Sequence, residues 1–146
     1  MMNIREQIKL VNRALSGTLD LYGVWAKKHG LNYNALVILY TLDDCQTCTQ
    51  KQICQWWALP KQTVHGILLD FEKKGYLTIT ANTENKRERL VAFTEKGKAF
   101  AASILEPLYK MEEKAMKKMG QEQRAQLIAC NTNYYELLKE EMEHGE

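Results

Sequence analysis

The chain has 146 residues, 45% of them hydrophobic and 26% charged, with a net charge of only +2. That is enough length to bury a core without disulfide or metal staples, and any nucleic-acid partner must be met by local basic groups rather than by bulk charge. No apolar run approaches the ~20 residues a membrane-spanning helix needs. The N-terminal MMNIREQIKLVNRAL lacks the layout of a signal peptide. A cytoplasmic protein is therefore expected, and there four cysteines are not by default two disulfides.

In chain order, Ile4, Ile8, Val11, Leu15, Leu19, Tyr22 and Ala26 recur at three- and four-residue spacing, which predicts a long amphipathic helix stopped by Gly30. Asn32 caps a second helix carrying Leu36, Leu39 and Leu42, with a break at Asp43-Asp44. Thr49 and Gln52 form a capping box for a short third helix, which Ala58-Leu59-Pro60 interrupts. Pro60 suits the opening of a fourth helix with Val64, Ile67, Leu68 and Phe71 on one side and Gly75 at its stop. The period then changes. Residues 76–80 and 90–93 predict a two-stranded hairpin around the charged loop 81–89. Thr94 caps a fifth helix through Phe100, Ile104, Leu108, Tyr109 and Met116, bent by Pro107. After Gly120 a sixth carries Leu127, Cys130, Tyr134, Leu138 and Met142, and the acidic run KEEMEHGE is expected to fray. No repeat or linker divides the chain, so residues 1–146 are expected to form one domain.

Helix, short helix, tight turn, helix and hairpin over residues 35–93 spell a winged helix-turn-helix. The fold class is mainly α with a small β-hairpin wing. The second helix of such a pair can enter a DNA major groove about 12 Å wide, and a basic hairpin tip can reach the adjacent minor groove. With Val64, Ile67, Leu68 and Phe71 inward, Lys61, Gln62, His65, Gly66 and Leu69 face outward. Gln62 can bond adenine bidentately, while Lys61, Thr63 and His65 suit phosphate or base-edge contacts. Glycine costs a helix interior roughly 1 kcal/mol against alanine. Gly66 thus implies close approach, either by a DNA strand or by another part of the protein. Lys86, Arg87 and Arg89 in the hairpin loop complete the basic set, among Glu84 and Glu88.

These residues resemble the MarR family of bacterial transcriptional regulators, most clearly in TQKQICQWWALPKQTVHGILLDFEKKGYL (49–77) and NKRERLVAFTEKG (85–97). The family's L-T-x-x-G element is matched by Thr94 and Gly97, with Phe93 at the leucine position. Arg87 falls on the wing arginine, implying a minor-groove contact, and Asn85 stands where the family has aspartate. The resemblance places Thr49 with the DNA-contacting set and implies a homodimer, with residues 1–30 and 95–146 as dimerisation helices at both termini. It also implies an inverted-repeat operator and a repressor released by a small-molecule effector. The residues agree on the dimer, since the terminal helices carry apolar stripes too long for one wing domain to cover.

Three of the four cysteines lie in DDCQTCTQKQIC. Cys48 and Ile53 stand at the N′ and N4 positions of a hydrophobic staple. Cys54 occupies the small buried position of the third helix, and Cys130 joins the stripe of the last; a free cysteine serves there as a small hydrophobe. Cys45 has no such role. Three thiols alone do not make a tetrahedral zinc site, although Asp43 or Asp44 could complete a loose set, and His29, His65 and His144 share no ligand spacing. No metal, cofactor or catalytic residue is expected. Thiol or metal sensing through Cys45 and Cys48 stands as an alternative, beside a winged-helix module for protein–protein contact and a thiol oxidoreductase, which would need a βαβ unit the chain lacks. Of Trp56 and Trp57, at least one is expected in the core or at an interface.

Overall fold

The computed structural model describes residues 1–145. Its elements run α1 (Ile4–Lys28), α2 (Tyr33–Cys45), β1 (Thr47–Thr49), α3 (Gln50–Trp56), α4 (Lys61–Lys73), β2 (Leu77–Ala81), β3 (Arg89–Phe93), α5 (Glu95–Met119) and α6 (Gln121–His144). The fold is the mainly helical one expected, with a small antiparallel sheet. The residues cluster into two compact units, Met1–Leu105 and a second that begins at Glu106.

Local signals set the helix ends. Asn3 and Glu6 form a capping box on α1, and Asn32 accepts from the Ala35 amide to start α2. Three helices then close the same way. The amide of Leu31 reaches the Ala26 carbonyl at 2.9 Å, Leu59 reaches Cys54 at 3.0 Å and Tyr76 reaches Phe71 at 3.0 Å. Each places a left-handed residue just past the helix end, in the Schellman manner. Gly30 (φ 75°) and Gly75 (φ 81°) fill two of these places, and Ala58 (φ 51°) fills the third.

The centre of the first unit is α2. Ala35, Leu36, Val37, Ile38 and Leu39 are all buried, with Thr41 and Leu42 beyond them. A stripe through Leu36, Leu39 and Leu42 understates this, because the helix is apolar on every side and therefore central. Thr41 is accommodated by bonding back to the Val37 carbonyl at 2.7 Å. Burial of each such leucine or isoleucine contributes about 1.5–3 kcal/mol. Tyr22, Tyr40 and Trp57 meet edge to face, with centroids 5.7–6.5 Å apart, tying α1 and α2 to the residue after α3. Trp56 stays 52% exposed, so Trp57 alone takes the packing role.

Three sequence expectations are corrected. The sheet has three strands in the order β1-β3-β2, not two; Thr47, Cys48 and Thr49 pair with Ala92, Val91 and Leu90. Asp43 and Asp44 lie in the last turn of α2, which continues to Cys45. The acidic C-terminal run is helical to His144 instead of frayed; its final residue, Glu146, lies outside the described residues.

Candidate nucleic-acid interface

The short helix α3 begins at β1. The Thr49 hydroxyl accepts from the Gln52 amide at 3.1 Å, and the Gln52 side-chain oxygen accepts from the Thr49 amide at 2.9 Å. Gln50 Nε2 then donates to the Lys61 carbonyl at 3.3 Å, bridging the start of α3 to the start of α4. That bond joins the two helix starts across the tight Ala58 turn. Val64, Leu68 and Phe71 are buried and Ile67 half-buried, so Lys61, Gln62, His65, Gly66 and Leu69 face solvent as expected. Thr63 is half-buried at the edge of that face.

The wing is built by asparagines. Asn82 Oδ1 accepts from the Glu84 amide at 3.0 Å, and Asn85 Oδ1 accepts from the Arg87 amide at 3.1 Å. These are Asx turns, which order a loop that has no strand partner. Asn85 thus holds the Arg87 backbone, a task that needs an acceptor oxygen but no charge. The loop is closed by Asn82 N–H to the Glu88 carbonyl at 3.1 Å and Glu88 N–H to the Asn85 carbonyl at 3.0 Å. Lys86, Arg87 and Arg89 remain exposed.

Helix pair and wing enclose a cleft of about 580 Å³. Five predicted residues line it: Thr49, Lys61, His65, Arg87 and Arg89. Gln62, Thr63, Gly66 and Lys86 are not among its lining, although Gln62 and Gly66 lie on the exposed face of α4. Gln50, Lys51, Cys54, Gln55 and Glu88 also line it and were not predicted as contacts. The signal for the first four was available, since positions 50, 51, 54 and 55 share one face of a helix. Lys51, Lys61, Arg87 and Arg89 set four cations against the single carboxylate of Glu88, so the cleft is electropositive although the chain is nearly neutral.

The cysteines divide differently from expectation. Cys48 is buried at 2% exposure, facing inward from β1 opposite Val91. Cys54 is not buried but half-exposed at the cleft, because α3 turns Ile53 to the core and Cys54 to its rim. Desolvation raises its thiol pKa, with Lys61 opposing. Cys130 is exposed on α6, and Cys45 is half-exposed beside Cys48. Among the described residues no three His, Cys, Asp or Glu side chains are grouped to hold a metal. Gly66 also loses one of its two explanations: a Cβ there would meet nothing within 4 Å, so close packing inside the chain does not require glycine.

Residues 29–88 match the family model described as MarR family. Over 77 residues the chain is 27% identical to the HTH-type transcriptional regulator SarZ of Staphylococcus epidermidis, a match covering 53% of this chain and 52% of SarZ. The match thus spans about half the length of that relative. The structure of NMB1585, a MarR family regulator from Neisseria meningitidis, superposes over 99% of this chain and 100% of that one, with a TM-score of 0.85 and 28% identity. The chain is thus similar to MarR family regulators, by sequence over its winged helix-turn-helix and by fold over nearly its whole length. A further MarR-like fold is that of Bordetella bronchiseptica BpsR, whose DNA binding is regulated by 6-hydroxynicotinic acid; it superposes with a TM-score of 0.70 over 89% of this chain and 98% of BpsR, at 16% identity. The MarR match falls on the winged helix-turn-helix, from the end of α1 through the wing loop, and so includes the whole candidate interface except Arg89.

Proposed function

We propose that this chain is a member of the MarR family, a cytoplasmic, sequence-specific DNA-binding regulator that works as a homodimeric repressor. One observation carries the reading. The exposed start of α4 and the wing arginines converge on a single electropositive cleft, although they come from segments more than twenty residues apart. Lys61 and Arg87 supply phosphate contacts that position the protein, while Gln62 on the outer face of α4 supplies base discrimination. A protein–protein module has no need for this concentration of cations beside an exposed helix.

The dimer reading is supported by apolar faces that nothing in one chain covers. On one face of α1, Ile4, Leu15 and Leu19 are 46–75% exposed, and on one face of α6 Ile128, Tyr135 and Met142 are 61–72% exposed. Apolar side chains exposed along one face of a helix mark a candidate interaction site. Two-fold pairing presents two α4 helices to half-sites one DNA turn apart. An effector that binds the DNA-competent and DNA-incompetent arrangements unequally would then shift their balance. BpsR supports a small molecule in that role.

The test is selection from a random double-stranded DNA library at low salt. An inverted repeat should be enriched, and its affinity should fall with a log–log salt slope of about −0.9 per phosphate neutralised. No enrichment, or binding without salt dependence, would sink the reading. Sedimentation of the wild type against Leu15→Asp tests the dimer.

A further inference from the structure

Gln62, His65, Gly66 and Leu69 recur along α4 at three- and four-residue spacing and form one exposed stripe on its outer face. The stripe begins on polar side chains and is open at Gly66, where a Cβ would meet nothing within 4 Å. It then reaches an apolar residue. Leu69 is 41% exposed, and among the described residues of α4 it is the one large apolar side chain left in solvent. Val64, Leu68 and Phe71 are buried and Ile67 half-buried, so the core of the fold is already supplied without it.

The charge beside the stripe indicates what covers it. His65 belongs both to the stripe and to the cleft where Lys51, Lys61, Arg87 and Arg89 face the single carboxylate of Glu88. Cations so placed suit the phosphates that flank a groove, and the stripe then meets base edges. Those edges are almost entirely polar. A donor or acceptor buried against leucine without a partner costs free energy, so most bases are poor neighbours for Leu69. The one apolar feature of the major groove is the C5-methyl group of thymine.

We propose that Leu69 is a specificity-determining residue that packs on the C5-methyl group of a thymine in each half-site. The contact rests on the DNA-binding reading above and names a part of the operator that α4 selects. Leu69 stands two turns beyond Gln62, about 10.5 Å along the helix. Base pairs are about 3.4 Å apart. An α4 lying along the groove therefore sets this thymine about three base pairs from the adenine that Gln62 bonds. Gly66, between the two, leaves the helix backbone free to approach. Leu69 also acts by exclusion, because a cytosine amino group or a guanine oxygen buried against it loses its partner in water.

The test takes the DNA site selected by the full chain and replaces each thymine of one half-site, singly, by deoxyuridine, which removes only the methyl group. Fluorescence anisotropy then measures affinity at one salt concentration. One replacement should weaken the wild type about four-fold, the effect of exposing one buried methyl-sized group. Leu69→Ala should bind the thymine site more weakly and lose the distinction between thymine and deoxyuridine at that position alone. Its salt slope and thermal midpoint should match the wild type, since the side chain is outside the core. At the same position, 5-methylcytosine should bind the wild type better than cytosine does. A site in which no thymine methyl matters overturns the proposal, as does a methyl effect that Leu69→Ala leaves intact. A Leu69→Ala loss that is equal for every sequence also overturns it. So does a changed sedimentation coefficient with unchanged base preference, which would place Leu69 between copies of the chain. If the wild type binds no DNA at low salt, the DNA-binding reading itself fails; salt-dependent binding with no methyl effect sinks the Leu69 contact alone.

Discussion

The hydroxyl of Thr94 donates a 2.6 Å hydrogen bond to the carbonyl of Gly75, joining the exit of the wing to the exit of the exposed helix α4. The same hydroxyl accepts from the Gly97 amide at 3.0 Å, so it caps α5 as well. Lys96 adds a 2.9 Å bond to the Lys74 carbonyl. Gly97 makes this junction possible, since a Cβ there would overlap the carbonyl of Tyr76. The T-x-x-G of the sequence is thus a joint between helix and wing, and the first prediction follows from it. Gly97→Ala should destabilise the fold by about 1–3 kcal/mol, as an over-packed site does. Thr94→Ala should cost ~1 kcal/mol through the lost cap. Urea unfolding of both variants against the wild type measures this.

Ala58 stands where the equivalent turns after α1 and α4 use Gly30 and Gly75. A left-handed alanine costs roughly 1–2 kcal/mol, while glycine there loses about 0.4–1 kcal/mol through unfolded-chain entropy. Ala58→Gly should therefore raise the unfolding free energy by roughly 0–1.6 kcal/mol. A lowered thermal midpoint would contradict the strain assigned to this turn.

Gly66 separates folding from binding. Its missing side chain touches nothing in the chain, so Gly66→Ala should stabilise α4 by up to ~1 kcal/mol. The same change should weaken DNA binding if a strand lies against this face. Thermal melts and fluorescence anisotropy together decide it. Stabilisation with undiminished affinity would remove Gly66 from the interface.

Within the cleft, Arg87→Ala should lower affinity and make the log–log salt slope shallower by about 0.9. Glu88→Gln should act the opposite way at low salt, because it removes the one carboxylate among four cations. Anisotropy titrations across a salt series measure both slopes. Equal responses from the two variants would argue against an electrostatic wing contact.

Burial gives the Cys48 thiol a stability signature under reducing conditions. Its folded pKa lies far above the unfolded reference of 9.0, so above that pH the unfolded chain binds fewer protons than the folded one. The stabilisation is complete below the reference value and declines as pH rises through it, with a slope of at most ~1.4 kcal/mol per pH unit. Cys54 and Tyr33, also raised by desolvation, contribute in the same direction. Denaturant unfolding from pH 8 to pH 10.5 should show a decline that Cys48→Ala makes shallower.

Most helix ends were decided by the sequence itself, the exceptions being the end of α2 at Cys45 and of α6 at His144. Asn32, the Thr49–Gln52 box, the glycine stops at 30 and 75 and the Thr94 cap all act through hydrogen bonds to residues within about five positions. Such bonds need no distant partner, so their residue types announce them. The inward and outward faces of α4 were legible for the same reason, through the helical period. Three things were not. β1 has only three residues and no alternating pattern of its own, and it exists because β3, some forty residues later, offers an edge. The all-round burial of α2 depends on what surrounds it. The exposure of Cys54 and the gathering of Lys61, His65 and Arg87 into one cleft depend on how α3, α4 and the wing are docked. Residue type records the local free energy of a turn or cap; which surfaces meet is set by the packing of the whole unit, and that belongs to the tertiary structure alone.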